Sequence, residues 1–419
     1  MTSHGGQVID IRTAQPESPI EMRYVARQPI LDLKGRVHGY DLLFRNAPES
    51  IFRRDAETAV ETMLDNEVIF GLERLTNGLP SFITCTAEAL TDNLVLVLAP
   101  EATILSIPAS LEPTQKLIDA CRLLKGRGFR LSLDEFDWSN TAHPLLDQAD
   151  YIRGDFRLTD ATTRQQLQHR AAKSAILVGQ KVETQEDYTQ ACSFGFTHFQ
   201  GGYLCQPVLL KKRKVPANRM FHFEIVRELY RDPIDVRKVS QLVRRDASLT
   251  YRLLRLVNSP MYVLYQEVRS IETAIMILGE TTFRRIMSVA VVSEMNGEQS
   301  AEILQMALVR ARFCELAAAK SNQDAAEQYL LGMMSLLPAM LGVPMEEIIP
   351  SLPLRGPVCD ALTGSMNAER SLLGWLECHE RGDWSSCDAI VSAHRLNAKT
   401  LVQCYEEAVL WAAATPSVA

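Results

Sequence analysis

Residues 102–135, ATILSIPASLEPTQKLIDACRLLKGRGFRLSLDE, decide the architecture of the first half of the chain. The stretch opens on the β-type run ATILSI. A helix-like segment, LEPTQKLIDACRLLKGRG, follows, and then a second β-type run, FRLSLDE. Strand, helix and strand in succession predict parallel strands joined by a crossover helix. The same alternation extends from about Tyr24 to Leu210. Further strand candidates are YVARQPI, SFITCT, LVLVLA, DYIRGDF, SAILVGQ and THFQG, and further helical segments are DAETAVETMLDNEVIFGLERL (55–75) and DATTRQQLQHRAAK (160–173). About eight strand candidates over this length suit a (β/α) barrel better than a short open sheet. An open doubly wound sheet is the alternative, but the chain has no Gly-rich phosphate loop of the usual kinds.

Outside this region the character of the sequence changes. Residues 1–20 read as a loose tail, 21–210 as the barrel, and KKRKVPANR (211–219) as a basic, solvated linker. Residues 220–412 carry helical periodicity and 413–419 form a short tail. In RKVSQLVRRDASLTYRLLRLVNSP the apolar residues Val239, Leu242, Val243, Leu249, Leu253, Leu254 and Val257 recur at three- and four-residue spacing. Asp246 is placed to cap a helix start, and Asn258-Ser259-Pro260 to end one. Three further helices are expected in IETAIMILGETTFRRIMSVAVVSEM, AEILQMALVRARFCELAAAK and AAEQYLLGMMSLLPAMLG, with Met276, Met333, Met334 and Met340 as core packing. The fold class is therefore multi-domain: an α/β barrel followed by an all-helical bundle.

Composition narrows the function. The 419 residues are 47% apolar and 23% charged, enough for two cores. The net charge of −7 argues against attraction of the whole surface to nucleic acid or anionic membrane. The nine Cys include no C-x-x-C pair, so neither zinc nor a disulfide framework is indicated. Cys85, Cys121, Cys205 and Cys314 sit in apolar runs as core fillers, which suits a reducing cytoplasm. No secretory signal or membrane-length apolar run is evident. Arg244, Arg245, Arg252 and Arg255 fall on helical spacing and read as a solvated basic face.

Polar residues at the expected C-terminal strand ends form the candidate site: Asp41, Thr84, Ser106, Asp134 with Glu135, Arg153 with Asp155, Gln180 with Glu183, and Gln200. With the segments ARQPILDLKGRVHGYDLLFRN, LSLDEFD, LVGQKVETQEDY and GFTHFQGGYLCQPVL, this series resembles the EAL domain, a barrel family that hydrolyses cyclic di-GMP using two metal ions. The resemblance implies metal ligands where this chain departs from the pattern. The signature Glu-Ala-Leu reads Asp41-Leu42-Leu43. Thr84 stands for an Asn, Ser106 for a Glu, Glu135 for the second Asp of a pair, Arg153 for a Lys and Gln180 for a Glu. Asp134, Asp155, Glu183 and Gln200 match. Neutral Thr84, Ser106 and Gln180 are poor ligands for Mg²⁺ or Mn²⁺ beside carboxylates. Asp134, Glu135, Asp155 and Glu183 are expected instead in hydrogen bonds or salt bridges with Arg153. Gln28 and Arg45 match positions where the family contacts the dinucleotide's base and phosphate, so they are the candidate nucleotide contacts.

LVRRDASLTYRLLRLVNSPMYVLYQEVRSIETAIMILGETTFRRIM (242–287) resembles the HDOD domain, an all-helical relative of HD phosphohydrolases. The metal-binding His-Asp pair of those enzymes aligns with Ser335-Leu336, and His222 and His379 stand alone. Asn258-Ser259 has a structural reading, as a capped turn. Degenerate EAL followed by HDOD is itself a recognisable family, which the resemblance places over about 23–411. It implies a bacterial, cytoplasmic, non-catalytic adaptor with no cofactor or metal. Its expected partner is a protein held through the helical domain, and the same reading leaves room for a homodimer. The alternatives are a catalytically silent cyclic di-GMP receptor and a weak cyclic di-GMP phosphodiesterase.

Overall fold

The computed structural model describes residues 24–45, 75–159, 175–205, 217–262, 268, 270–296, 301–352 and 354–415. The tail at 1–20, the helical segments expected over most of 55–75 and at 160–173, and residues 211–216 of the expected linker lie outside them.

The first half closes into an eight-stranded barrel in sequence order. It comprises β1 (Tyr24–Asp32), β2 (Val37–Arg45), β3 (Ser81–Thr84), β4 (Thr103–Pro108), β5 (Arg130–Asp134), β6 (Tyr151–Asp155), β7 (Ile176–Gln180) and β8 (His198–Phe199). From β2 to β8 the neighbours are parallel, but β1 runs antiparallel to both β2 and β8. The expectation of parallel strands throughout fails there. Five residues, Asp32 to Arg36, reverse the chain: the Asp32 carboxylate accepts from the backbone N–H of Lys34 and Arg36, and Gly35 takes φ 69°. A tight turn of this kind can join only antiparallel strands.

The strand candidate LVLVLA is also corrected. Leu94–Val97 is a turn of 3₁₀ helix entered through Asn93 at φ 61°. β3 pairs directly with β4, which leaves no place for a strand between them. Val37–Arg45 supplies the eighth strand instead. Among the described residues three helices pack outside the barrel: α1 (Ala87–Thr91), α2 (Gln115–Gly126) and α3 (Gln185–Ser193). In α2, Thr114 caps the N-terminus and Leu117, Cys121 and Leu124 form the buried face.

Strand alternation fixes what lies inside the barrel. Ile30, Phe82, Ile104, Tyr151 and Val178 form an inner apolar layer. Thr84, Ser106, Arg153 and Gln180 follow the last four by two residues on the same strands, so they share the inward face one layer higher. The candidate site is therefore a polar ring resting on an apolar floor.

The second half is helical: α4 (Ala217–Leu229), α5 (Val236–Val243), α6 (Ala247–Val257), α7 (Ile271–Leu278), α8 (Glu280–Asn296), α9 (Ala301–Ser321), α10 (Ala325–Met334), α11 (Leu337–Leu341), α12 (Met345–Ile348), α13 (Gly356–Leu362), α14 (Arg370–Arg381), α15 (Trp384–His394) and α16 (Ala398–Ala414). One continuous core unites them. Helix α4 begins inside the expected linker, and α16 runs past the expected boundary at 412. Two segments expected as single helices break: one at Gly279 (φ 75°), and one at Ser335-Leu336 ahead of Pro338. Met333, Met334 and Met340 are core residues, but Met276 is 77% exposed. Its helix is only eight residues long and buries Ile271 and Ala274 instead. Cys85, Cys121 and Cys314 are buried as expected, while the side chain of Cys205 lies outside the described residues.

Asp246 caps α6 by accepting from the N–H of Leu249. Its carboxylate also lies 3.4 Å from His222 Nε2. Asn258 has the structural role read from sequence: its side chain donates to the carbonyls of Leu254 and Val268 and accepts from the N–H of Val268. Asn258→Ala removes all three bonds. It should lower stability by about 1–3 kcal/mol, read as a drop in urea midpoint at unchanged slope. The expected basic face is largely tied down: Arg244 pairs with Glu272, Arg252 with Glu294, and Arg245 lies over the Phe221 ring.

Candidate functional site

At the centre of the polar ring is a buried guanidinium. Arg153, fully buried in mid-β6, donates through Nη2 to Asp41 Oδ2 at 2.5 Å and to Gln200 Oε1 at 2.8 Å. Its Nη1 reaches Asp134 Oδ2 at 3.1 Å and Ser106 Oγ at 3.3 Å. The group lies over the Phe82 ring, 5.0 Å from its centroid. Burial by itself disfavours the charge, but Asp134 and Asp41 more than offset this and hold Arg153 above its ordinary basicity. Ser132 Oγ supports Asp134 at 2.5 Å.

Amides continue the network outward. Gln200 Nε2 donates to Asp41 Oδ2 and to Gln28 Oε1, each at 2.8 Å, and Gln180 Nε2 donates to Gln200 Oε1 at 3.3 Å. Gln28 Nε2 then donates across to the Glu380 carbonyl at the end of α14, at 3.2 Å. This candidate nucleotide contact thus joins the two domains. The other candidate, Arg45, ends β2, and its side chain lies outside the described residues. Thr84 ends β3, level with Ser106.

The expected acidic strip at Asp134-Glu135 is split. Asp134 turns inward to Arg153, whereas Glu135, at φ 53°, is exposed on the rim. Asp155 and Glu183 were also expected to meet Arg153. Asp155 pairs instead with Arg157 at 3.0 Å and Lys181 at 3.4 Å. Glu183 accepts from the N–H of Gly202 at 3.2 Å. Asp155 is the last residue of β6 and Glu183 lies beyond the end of β7; both line the mouth of the barrel. Asp41, which had not been assigned as a partner, shares the counter-charge with Asp134.

The helical domain covers the barrel mouth and leaves a cavity of about 810 Å³. Ser335 and Leu336, the positions that the resemblance aligned with the His-Asp pair, line its far side opposite Gln180 and Gln200. A second arginine serves there. Arg310, also buried, grips Glu380 with two bonds (3.2 and 2.7 Å), approaches Glu377 at 3.6 Å and donates to Ser335 Oγ at 3.2 Å. Gly332 lets α10 approach α9 closely here, since a Cβ would lie 2.4 Å from the Arg310 carbonyl oxygen. Between the domains the Tyr40 hydroxyl donates to Glu302 at 3.1 Å. Burial pushes up the pKa of both groups. Arg27 lies over the Tyr40 ring and donates to the Leu75 carbonyl. Arg27, Tyr40, Glu302, Arg310, Glu377 and Glu380 had no signal as site residues, because each becomes one only when the domains meet.

A barrel capped by a helical bundle, with a cavity between them, defines the class: a two-domain protein with an interdomain site. Residues 215–341 match the HDOD domain. The chain is 31% identical over 400 residues to the uncharacterized protein YuxH of Bacillus subtilis (strain 168), covering 93% of this chain and 97% of that one. It is 30% identical over 380 residues to the cyclic di-GMP phosphodiesterase CdgJ of Vibrio cholerae serotype O1, covering 89% and 88%. The EAL domain protein of Listeria monocytogenes EGD-e aligns with 43% of this chain and 86% of that one, at 19% identity and a TM-score of 0.34. The chain belongs to the family of YuxH and CdgJ, and its residues 215–341 form the HDOD part. Among the described residues no single helix is long and apolar enough to cross a membrane.

Proposed function

We propose that this chain is a non-catalytic signalling adaptor of the bacterial cytoplasm, tied to cyclic di-GMP signalling through its family and acting by binding a protein partner. The observation that carries the reading is the position of Arg153. Its guanidinium lies among Asp41, Asp134, Ser106 and Gln200, positions that the resemblance aligns with the metal and catalytic site of the EAL family. Two divalent ions roughly 4 Å apart need several carboxylates without another cation between them. Here the two inward aspartates already neutralise an arginine, and Thr84, Ser106 and Gln180 bring no charge. These residues do not fit a two-metal centre. On the bundle side, Ser335 and Leu336 offer no imidazole or carboxylate, and Arg310 occupies the neighbouring acidic groups.

The second reading, a cyclic di-GMP phosphodiesterase, is favoured by the similarity to CdgJ, which is named as one. Incubating the full chain with cyclic di-GMP and Mg²⁺ or Mn²⁺ separates the two. The adaptor reading expects no turnover above a Glu183→Ala control, and turnover above that control would overturn it. A pull-down that returns no specific partner would count against the adaptor role itself.

A further inference from the structure

One hairpin of the barrel carries bonds in two directions. On one side its strands, β1 and β2, belong to the polar ring: Gln28 accepts from Gln200 Nε2, and Asp41 holds Arg153. On the other side the same strands meet the bundle. Gln28 Nε2 donates to the Glu380 carbonyl, the Tyr40 hydroxyl donates to Glu302, and Arg27 bonds the Tyr405 side chain of α16. Leu43, further along β2, packs against Gly382 at the end of α14, where a Cβ would lie 2.6 Å from Leu43 Cδ1. Gln28 is thus bonded to both domains at once. Tyr40 and Asp41 are neighbours on β2 that turn to opposite partners, one in each domain.

The contact made in this way is polar and open in the middle. Arg27, Tyr40, Glu302 and Tyr405 are all buried, so two charges and two hydroxyls give up their hydration where the domains meet. Burying a charge is costly, and its partners roughly offset that cost rather than exceed it. Glu302 shows the balance: burial raises its pKa despite the nearby Arg27 and the bond from Tyr40. At the centre a space of about 810 Å³ separates the domains, lined by Pro29 and Phe136 of the barrel and by Met306, Val309 and Leu336 of the bundle. In a permanent interface such side chains pack against one another, whereas here they line a gap. Parting of the domains therefore rehydrates buried charge and gives up no close packing at the centre, as in interdomain contacts that open and close.

We propose that docking of the bundle on the barrel is a reversible closure, and that the β1–β2 hairpin couples this closure to the polar ring. In the closed state the bundle covers the barrel mouth and Gln28 is held by Glu380. In the open state the hairpin and the facing surface of α9 and α14 are uncovered. When the ring releases Gln28, closure loses one of its bonds, so the ring and the bundle surface bias the same two-state element. The inference stands whether or not the ring hydrolyses a substrate, so turnover of cyclic di-GMP would leave it intact.

Hydroxyl-radical footprinting of the full chain, read by mass spectrometry, tests both halves of the inference. Tyr40 and Tyr405 report closure, Phe82 and Met333 report the two cores, and exposed Met276 is the reference. Glu302→Ala removes the Tyr40 acceptor and a counter-charge of Arg27, a loss felt only in the closed state, since both groups hydrate once the domains part. It should raise oxidation of Tyr40 and Tyr405 about fivefold or more, with Phe82 and Met333 unchanged. Leu43→Asp, at another point of the contact, should do the same. Gln200→Ala, whose bonds run to Arg153, Asp41, Gln28 and Gln180, should raise it about twofold or more by loosening Gln28. Asn258→Ala, which loosens the bundle away from the contact, should leave both tyrosines as they are. Unchanged tyrosines in Glu302→Ala, or a rise confined to that variant, overturn the closure. A joint rise of Phe82 and Met333 overturns it too, because the two domains would then be one cooperative unit. Unchanged tyrosines in Gln200→Ala overturn the coupling, and an equal rise in Asn258→Ala would mark general loosening and overturn both.

Discussion

Arg153→Met should destabilise the protein by about 3–5 kcal/mol, the characteristic cost of leaving buried charges without their partner. Asp41 and Asp134 are each 3% exposed at the side chain, and both neutralise this one guanidinium. Methionine fills much of the volume over Phe82 but supplies no charge and no donor, so two carboxylates would face each other across a dry pocket. The loss should also free Gln200 and Ser106, which donate to or accept from the same group of residues. Urea denaturation of the variant measures the cost. The decisive companion is the triple variant with Asp41→Asn and Asp134→Asn, which removes the unpaired charges and should recover a large part of the loss. If the single variant loses under about 1 kcal/mol, or the triple variant is no better than the single, the charges are not the reason.

Acid should weaken the fold through His379. This residue is fully buried on α14 and packed by Trp375, Trp384 and Tyr405, with ring centroids 4.5–5.2 Å away. Burial pushes its pKa down to about 3 from an ordinary 6.5. Below pH 6.5 the unfolded chain takes up a proton that the folded chain refuses until about pH 3. Stability contributed by the neutral ring is thus present above 6.5 and is lost as pH falls through that window, at roughly 1.4 kcal/mol per unit. Between pH 7 and 5 this amounts to about 2 kcal/mol. His198, lowered to about 4 by burial and by nearby His38, adds to the same slope. His379→Phe keeps an aromatic ring in the cage and should flatten the pH dependence by one proton's worth. Identical slopes for the variant and the parent chain would show that His379 is not the titrating group.

How far the sequence could be read depended on whether a signal was local. The β-type runs of β3 to β7 were legible because inward and outward residues alternate over a few positions. Asp246, Asn258 and the capping of α6 were legible for the same reason, since a cap involves only neighbours in sequence. The run LVLVLA misled because an apolar stretch does not specify whether the sheet has room for it, and β3–β4 pairing removed that room. Met276 misled because spacing shows that a helix has an apolar face but not which face finds a partner.

The ring residues Asp41, Ser106, Asp134, Arg153, Gln180 and Gln200 could be named in advance as polar residues at the C-terminal side of the expected barrel. Their bonding could not. Asp134 and Glu135 are neighbours that turn opposite ways at a left-handed backbone position, and Asp41 reaches Arg153 from a strand more than a hundred residues away. The sequence by itself determined the barrel, the helical bundle and the neutral residues at Thr84, Ser106 and Gln180. Only the tertiary structure decided that an arginine occupies the centre of the ring and that Ser335-Leu336 faces it across one cavity. Periodicity and motif spacing encode contacts along a chain. A buried counter-charge and an interdomain cavity arise from residues that only closure of the barrel and docking of the bundle bring together.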